Sequence, residues 1–464
     1  MSEMSEENIR VVARFRPINS KEQHEEKRHN LEALPLKVNG RTVVCPRKDK
    51  PKLEFTLDDV LWSNCSQEET FNAIGKPLVD QVITGYNATI FAFGQTGSGK
   101  SYTMFGPFEN KSQLYSRIKQ IGIIPRSVSY LFELLNTSND IVKYTVNISI
   151  VEIYKEILRD LLYDDSTKKK AKKRPRLDIL MAGKEVEVKN LTEIQCKNVD
   201  DVLKCILQSQ SNRKVQKTEF IGHHSSRSHC VVTIKVNQLS LDDTIKIAKL
   251  NFGDLAGAEL ASKTQATGNT IKEAGKIHQG LLALENVINA LVAAKGKNKF
   301  IPYKDSNLTR ILRDSLGGNA KTTLLVNASP HIWSRTETIS TLRFAQRAKN
   351  IKNNATINKK RTRDQLESRI EELERLNKML NDKLLLKRQK SVASDDDNDV
   401  DSKEFDELNQ LLTNTSAELN KTKEEVNTLK KLIITQDETI SNYENDISNK
   451  DDTMDELGKQ INGY

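Results

Sequence analysis

The sequence predicts an α/β fold, a central mainly β sheet flanked by helices, followed by an α-helical coiled coil. Three observations predict it. Residues 8–360 alternate short β-rich runs with helical patterns. Beyond Lys360, apolar residues recur at heptad spacing. The charge changes sign at the same place. Residues 361–464 hold 16 Lys+Arg against 25 Asp+Glu, a net of −9, and residues 1–360 hold 56 against 38, a net of +18.

The β-rich runs are Ile9–Phe15, Ala88–Phe93, Tyr144–Ile153, Val231–Asn237 and Ile245–Phe252, whereas Leu281–Ala293 reads as helix. Two polar segments interrupt the alternation, Glu22–His29 and Ser166–Arg176. After Lys360, Leu366, Ile370, Leu373, Leu380 and Leu384 follow a 3–4 spacing, with Asn377 in the same seam. Phe405, Leu412, Leu419, Val426, Ile433, Ile440, Ile447, Met454 and Ile461 then recur every seven residues, the period of a left-handed coiled coil. The companion seam is weaker, because Thr415, Thr422, Gln436 and Lys450 stand where apolar residues belong. The alternative for this stretch is the buried face of a globular helix. Asn377 either fixes register at some cost in stability or is simply tolerated. Between the two stretches, Ser391–Asp401 is acidic and reads as a solvated break.

At 464 residues the chain is too long for one compact core, and 37% apolar with 29% charged residues fits a globular part joined to a polar, elongated part. No apolar run is long enough to span a membrane, and the N-terminus lacks the apolar core of a signal peptide. Cys45, Cys65, Cys196, Cys205 and Cys230 are scattered, without the spacing of a zinc site or a disulfide framework. The basic first part calls for a polyanionic partner: nucleic acid, an anionic membrane and an acidic protein surface all qualify on charge alone.

The chemistry centres on Gly94-Gln95-Thr96-Gly97-Ser98-Gly99-Lys100-Ser101, a complete phosphate loop directly after the apolar run Ala88–Phe93. Glycines at this spacing let backbone N–H groups wrap phosphates, and the following helix adds the positive end of its dipole. Lys100 reaches the β- and γ-phosphates, and the Ser101 hydroxyl ligates Mg²⁺. Two further motifs accompany it. Ser225-Ser226-Arg227-Ser228-His229 is dense in hydroxyls around one fixed cation. Asp254-Leu255-Ala256-Gly257-Ala258-Glu259 follows Leu250–Phe252, which places Asp254 at a strand end to hold the Mg²⁺ shell and brings the Gly257 N–H to a γ-phosphate. Either motif alone could be a polar turn.

In this order the three motifs resemble the phosphate loop, switch I and switch II of the kinesin superfamily. The resemblance extends to Arg14-Phe15-Arg16-Pro17, Gly122-Ile123-Ile124-Pro125-Arg126, Tyr303-Lys304-Asp305-Ser306 and Asp314-Ser315-Leu316-Gly317-Gly318-Asn319, and covers roughly residues 8–358. Ile9–Pro17 and the N-terminal motor look closest to conventional, fungal-type kinesins. The resemblance implies a motor domain over 1–346, a neck linker over 347–360, a neck coiled coil over 361–390, an acidic flexible linker over 391–404 and a coiled-coil stalk over 405–464. It implies an ATP-driven, plus-end-directed microtubule motor, a homodimer of the cytoplasm and microtubule cytoskeleton that uses ATP and Mg²⁺; nuclear or spindle residence stays open. Arg14, Pro17 and Tyr102 would flank the adenine, and Ser225 and Ser226 would approach the γ-phosphate and Mg²⁺. Arg227 and Glu259 would form a salt bridge between the switches and help position the attacking water. Catalysis would then rest on Lys100, Ser225, Arg227, Gly257 and Glu259 through positioning and charge stabilisation. Lys263, Lys304 and Arg310 match microtubule-facing cations, Ile351 would dock the linker, and Asn358 would latch it.

Four departures stand against this pattern. Gly222 replaces an asparagine of switch I, and Ala258 replaces a serine of switch II. The pattern N-I-N-K-S-L reads Lys276-Ile277-His278-Gln279-Gly280-Leu281, and Asn307 replaces a lysine. Loss of one γ-phosphate contact would slow turnover by roughly 10²-fold. The alternative is therefore a low-activity or non-motile kinesin-like tether to microtubules or another partner. A nucleic-acid-binding ATPase would explain the basic head but not the switch motifs. The run Lys168–Arg176 reads three ways: a tether to acidic tubulin, a nuclear-import signal, or a solvated charged loop. No globular tail is in view by Tyr464, which leaves either a piece of a longer protein or cargo recognition through the coil itself, and no segment identifies a cargo.

Overall fold

The computed structural model describes residues 5–20, 22–24, 35–48, 50–107, 118–163, 175–182, 185–219, 227–242, 244–259, 269–294, 300–361, 363–393 and 405–427. Two compact units divide the chain, one of residues 1–241 with 245–359 and the other of residues 242–244 with 360–464.

The first unit is built on one mixed sheet. Its path, in strand order, is β12 (Ile194–Cys196), β8 (Ile141–Tyr154), β13 (His229–Ser240), β14 (Thr244–Asp254), β7 (Ala88–Phe93), β15 (Lys321–Ala328), β2 (Arg10–Phe15) and β6 (Asp59–Leu61), with β9 (Ile157–Asp160) paired to β8. From β14 through β7, β15 and β2 to β6 the neighbours are parallel, and from β14 back through β13 and β8 to β12 they are antiparallel. β7 is buried at every residue because helices cover both faces, which is why its sequence is continuously apolar rather than alternating. Within the sheet, alternate side chains go to opposite cores. Val12, Ile90 and Ala92 face α2 (Lys76–Thr84), α4 (Ile123–Thr137) and α5 (Val199–Glu219). Val11, Ala13, Phe91 and Phe93 face α6 (Asn269–Ala294), α7 (Asn307–Ile311) and α8 (Arg335–Ala348). Between β7 and these helices, α3 (Lys100–Met104) starts the crossover, and the short α1 (Gln67–Thr70) is closed by a Ser66–Glu69 capping box.

Smaller sheets lie outside this path: β3 (Lys37–Asn39), β4 (Thr42–Arg47) and β5 (Lys50–Thr56) form one, and the hairpin of β10 (Asp178–Ala182) and β11 (Glu185–Lys189) another. The third joins the two ends of the unit: β1 (Ser5–Asn8) runs antiparallel to β16 (Lys352–Ala355), the segment that leaves α8.

The second unit contains α9 (Arg363–Ala393) and a helix over 405–427, here α10. These helices pack on each other. Asn377 and Thr415 share a hydrogen bond, Arg369 pairs with Glu418 at 2.9 Å, and Glu374 pairs with Lys423 at 2.7 Å. Going from Asn377 towards the start of α9 means going from Thr415 towards the end of α10, so the pair is antiparallel. Leu366, Leu373, Leu380 and Leu384 are buried along one side, and Thr415, Thr422 and Val426 along the other. Both heptad seams of α10 are used, including the threonines of the weaker one. The heptad positions from Ile433 to Ile461 and the acidic stretch 394–404 lie outside the described residues. Among the described residues, no helix is long and apolar enough to cross a membrane.

Candidate nucleotide site and linker dock

The parallel pairing of β7 with β14 sets Asp254 opposite Ala92, so both strands end at the same edge and release their loops side by side. The loop after β7 turns at Gly94, Gly97 and Gly99, whose φ values of 147°, 75° and 98° favour glycine. Gly94 is the tightest: a Cβ there would lie 2.1 Å from the Asn327 carbonyl oxygen. Lys100 is buried, and its Nζ donates to the Gly94 and Gln95 carbonyls at 2.8 and 2.9 Å. Burial lowers its pKa.

Ser101 Oγ donates to Asp254 Oδ2 at 2.7 Å, and Arg213 Nη1 reaches the same oxygen at 3.1 Å. Arg213 comes from α5 and also bonds the Ser228 carbonyl at 3.0 Å, while Ser228 Oγ donates to Glu152 at 2.6 Å. His229 Nδ1 accepts the Ala256 N–H at 3.0 Å, which requires an unprotonated nitrogen. Burial, with Arg213 and Lys100 nearby, holds its pKa at about 3. The segment after Asp254 lies on the phosphate loop. The Ala258 N–H donates to Gly94 at 3.1 Å, and the Glu259 carboxylate accepts the Thr96 N–H at 2.7 Å and its hydroxyl at 2.5 Å. Gly257 is enclosed by this contact, since a Cβ there would lie 2.3 Å from Thr96 Oγ1 and from a Glu259 oxygen.

Asp254 Oδ1, Ser98 Oγ and Gln95 Oε1 are buried without a hydrogen-bond partner. A lone carboxylate oxygen beside a serine hydroxyl suits a hard cation that takes its other ligands from phosphate and water, as Mg²⁺ does. No cluster of three or more His, Cys, Asp or Glu side chains among the described residues offers a competing metal site. The residues therefore suit a polyphosphate with Mg²⁺: Ser101 and Asp254 would face the metal, and Gly94–Lys100 would wrap the phosphates.

Lys100, Ser101, Asp254, Gly257 and Glu259 come together on the loop. Arg227 is half-buried beside Ser228, and where the resemblance implies its pairing with Glu259, the structure sets that carboxylate on Thr96. Gly222, Ser225, Ser226 and Lys263, with most of the Lys168–Arg176 run, lie outside the described residues. At the base side, Pro17 and Tyr102 are exposed, but Arg14 is buried behind them, bonded to Gln67 at 2.7 Å and Thr103 at 2.8 Å, with its guanidinium carbon 5.8 Å from the Tyr102 ring centre. Arg14 thus holds the wall, and Tyr102 presents a face.

Lys304 is exposed, whereas Arg310 turns inward to Asn307 at 3.2 Å and to the Ile179 carbonyl at 2.6 Å, tying the β10–β11 hairpin to α7. Two of the departures share one partner. Asn307 gives its N–H to the Glu156 carboxylate at 2.6 Å and its side-chain amide to the Glu156 carbonyl at 2.8 Å. A Cβ on Gly280 would lie 2.9 Å from the other Glu156 oxygen. Asn307 and Gly280 are therefore fitted to Glu156, whose left-handed φ of 62° sits in the β8–β9 turn.

The segment after α8 is docked. Ile351 is buried, and its carbonyl accepts the Ile9 N–H at 2.9 Å. Asn358 receives the Asn319 amide at 2.9 Å and donates to the Gly85 carbonyl at 3.1 Å. Asn353, which sequence reasoning missed, is 2% exposed and makes four hydrogen bonds to the loop Ser315–Thr322. Arg213 was missed too; only its place ahead of the switch I motif could have signalled it.

The kinesin motor domain family profile matches residues 14–351. Kinesin heavy chain of Syncephalastrum racemosum is 41% identical over 356 residues, 76% of this chain and 36% of that protein. Kinesin-related protein 3 of Dictyostelium discoideum is 39% identical over 369 residues, 77% of this chain and 29% of that protein. This chain thus spans about a third of the length of these curated relatives. A solved structure described as a fast kinesin, with implications for ATPase mechanism and interactions with microtubules, superposes with a TM-score of 0.66 at 40% identity, covering 76% of this chain and 94% of that one.

Proposed function

The chain belongs to the kinesin motor domain family, and from that premise we propose that it is an ATP-driven microtubule motor. One observation carries the reading: Glu259, five residues past Asp254, hangs from Thr96 of the phosphate loop, so the chain just after β14 touches the site where a γ-phosphate would be held. ATP would be bound by Gly94–Ser101, with its base against Tyr102 and Pro17. When bound, Mg²⁺ neutralises charge on the β- and γ-phosphate oxygens. Lys100 would turn from the Gly94 and Gln95 carbonyls to the phosphates. Glu259 would leave Thr96 to reach Arg227, with Ser225, Ser226 and the Gly257 N–H closing on the γ-phosphate. Such exchange of partners is how a small change at the phosphate becomes movement of a switch segment.

Plus-end direction is supported by the dock of β16 against β1, because the linker leaves the C-terminal end of the motor domain. The basic head suits the acidic microtubule, and residence with cytoplasmic microtubules follows from that partner. Two chains would pair through the heptads from Ile433 to Ile461 of the 405–464 stretch, and transport of a cargo is part of the same proposal. The test is steady-state ATPase of the chain with Mg²⁺, titrated with microtubules. Several-fold stimulation supports a motor. Tight microtubule binding with no stimulated turnover refutes it and leaves a tether.

A further inference from the structure

Glu22 opens one of the two polar segments that interrupt the alternation of the fold, yet it is 5% exposed. Its carboxylate receives both terminal nitrogens of Arg16 at 2.6 and 2.7 Å, the Ser329 hydroxyl at 2.6 Å and the Asn19 N–H at 3.1 Å. A bidentate guanidinium pair of this kind fixes orientation as well as distance. Two of the groups on this carboxylate, Arg16 and Ser334, continue to the phosphate loop. Arg16 Nε donates to the Gly97 carbonyl at 2.7 Å. On the other side Ser334, which donates to Glu22 at 3.4 Å, accepts the side-chain amide of Gln95 at 3.0 Å. Gln95 and Gly97 flank Thr96, so one buried carboxylate is tied to the loop on both sides. Ser334 also directly precedes α8, the helix that leads to β16.

We propose that Glu22 is a positioning residue for nucleotide binding: through Arg16 at Gly97 and through Ser334 at Gln95, it holds the two sides of the phosphate loop at the spacing that wraps a polyphosphate. The proposal rests on the nucleotide-binding reading of the loop. Glu22 reaches no phosphate itself. Its effect is to keep the loop's N–H groups convergent before nucleotide arrives, which saves ordering cost on binding.

The test is equilibrium binding and dissociation of fluorescent N-methylanthraniloyl-ADP with Mg²⁺, measured on the full chain. Glu22→Gln keeps the shape and removes the charge, and Arg16→Lys keeps the charge and removes the Nε donor to Gly97. Each variant is expected to weaken binding about 10-fold, the size of one buried hydrogen bond to a charged group. The double variant is expected to lose little more than Glu22→Gln alone, because the Arg16 arm already depends on Glu22. Ser334→Ala, which removes only the Gln95 arm, is expected to lose about 3-fold. Unchanged affinity in a folded Glu22→Gln or Arg16→Lys, with only a lower Tm, would overturn the proposal, as would losses that multiply in the double variant. Should Glu22→Gln fail to fold, unchanged affinity in Ser334→Ala overturns it. Absence of binding by the unaltered chain would refute the nucleotide reading itself, and is seen before any variant is made.

Discussion

Replacing Asn353 by alanine removes the side chain that reads the loop beneath the docked β16. Its amide nitrogen donates to the Ala320 carbonyl at 2.7 Å, the Ser315 carbonyl at 3.0 Å and Thr322 Oγ1 at 3.1 Å, and its oxygen accepts the Gly317 N–H at 2.7 Å. Ser315 keeps a second donor in Thr322 Oγ1 at 2.8 Å, so the groups stranded by the substitution are the Gly317 N–H and the Ala320 carbonyl. One buried and one half-buried group left without partners cost about 2–4 kcal/mol together. Taken from the docking equilibrium, that is a shift of roughly 30- to 1000-fold towards undocked β16. Amide hydrogen exchange reads this directly, in peptides covering Ser5–Asn8 and Lys352–Ala355, whose ladder exists only while both strands are in place. Exchange should quicken at least about 30-fold there while β7 and β14 stay protected. Unchanged exchange in the two edge strands, or equal loss throughout the sheet, would refute the reasoning. Asn353→Asp should do no better, because it loses the donors and brings a carboxylate towards two carbonyls.

Three other outcomes are expected. Burial opposes charge on Glu22, but Arg16, Ser329 and Asn19 outweigh it and hold its pKa at about 2 against an ordinary 4.5. A lowered carboxyl pKa contributes stability above pH 4.5 that is lost as pH falls towards 2, so the urea stability difference between the unaltered chain and Glu22→Gln, on the order of 2 kcal/mol, should shrink across that window and no higher. Gly94→Ala should prevent folding or cost several degrees in a thermal melt, because its Cβ meets a backbone oxygen, whereas Gly97→Ala, with open space around it, should cost only about 1 kcal/mol for its positive φ. Equal melts for the two would contradict this. Asn307→Lys restores the family's cation but loses the bond to the Glu156 carbonyl and the one from Arg310, so denaturant unfolding should show a loss of about 1–2 kcal/mol where an exposed position would show none.

What the sequence made legible was what lies close together along the chain. The phosphate loop, its preceding strand and its helix occupy Ala88–Met104, and each glycine carries its conformational requirement with it. Asp254 was placed at a strand end by the apolar run before it. Residues whose partners lie far away left no such trace: Arg213 meets Asp254 across 41 positions, and Glu22 meets Ser329 across 307. Strand limits show the same division. β8 starts at Ile141 rather than Tyr144, and β14 ends at Asp254 rather than Phe252, because pairing with β13 and β7 carries the ladders past the end of the apolar run. Hydropathy likewise identified α9 and α10 as seamed helices, but a heptad states only that a helix has a partner, and the partner here is within the chain.

That antiparallel pair turns association into a contest. α9 and α10 are joined by eleven residues, 394–404, and a short tether presents its partner at an effective concentration on the order of millimolar. A second copy at micromolar concentration meets the same leucine seam at a handicap of about a thousandfold. Analytical ultracentrifugation over a concentration series separates the cases: pairing through α9 should set in only near millimolar, so any dimer formed in the micromolar range must use heptads beyond Val426. Mass action then makes release of α10 the event that lets α9 find another chain.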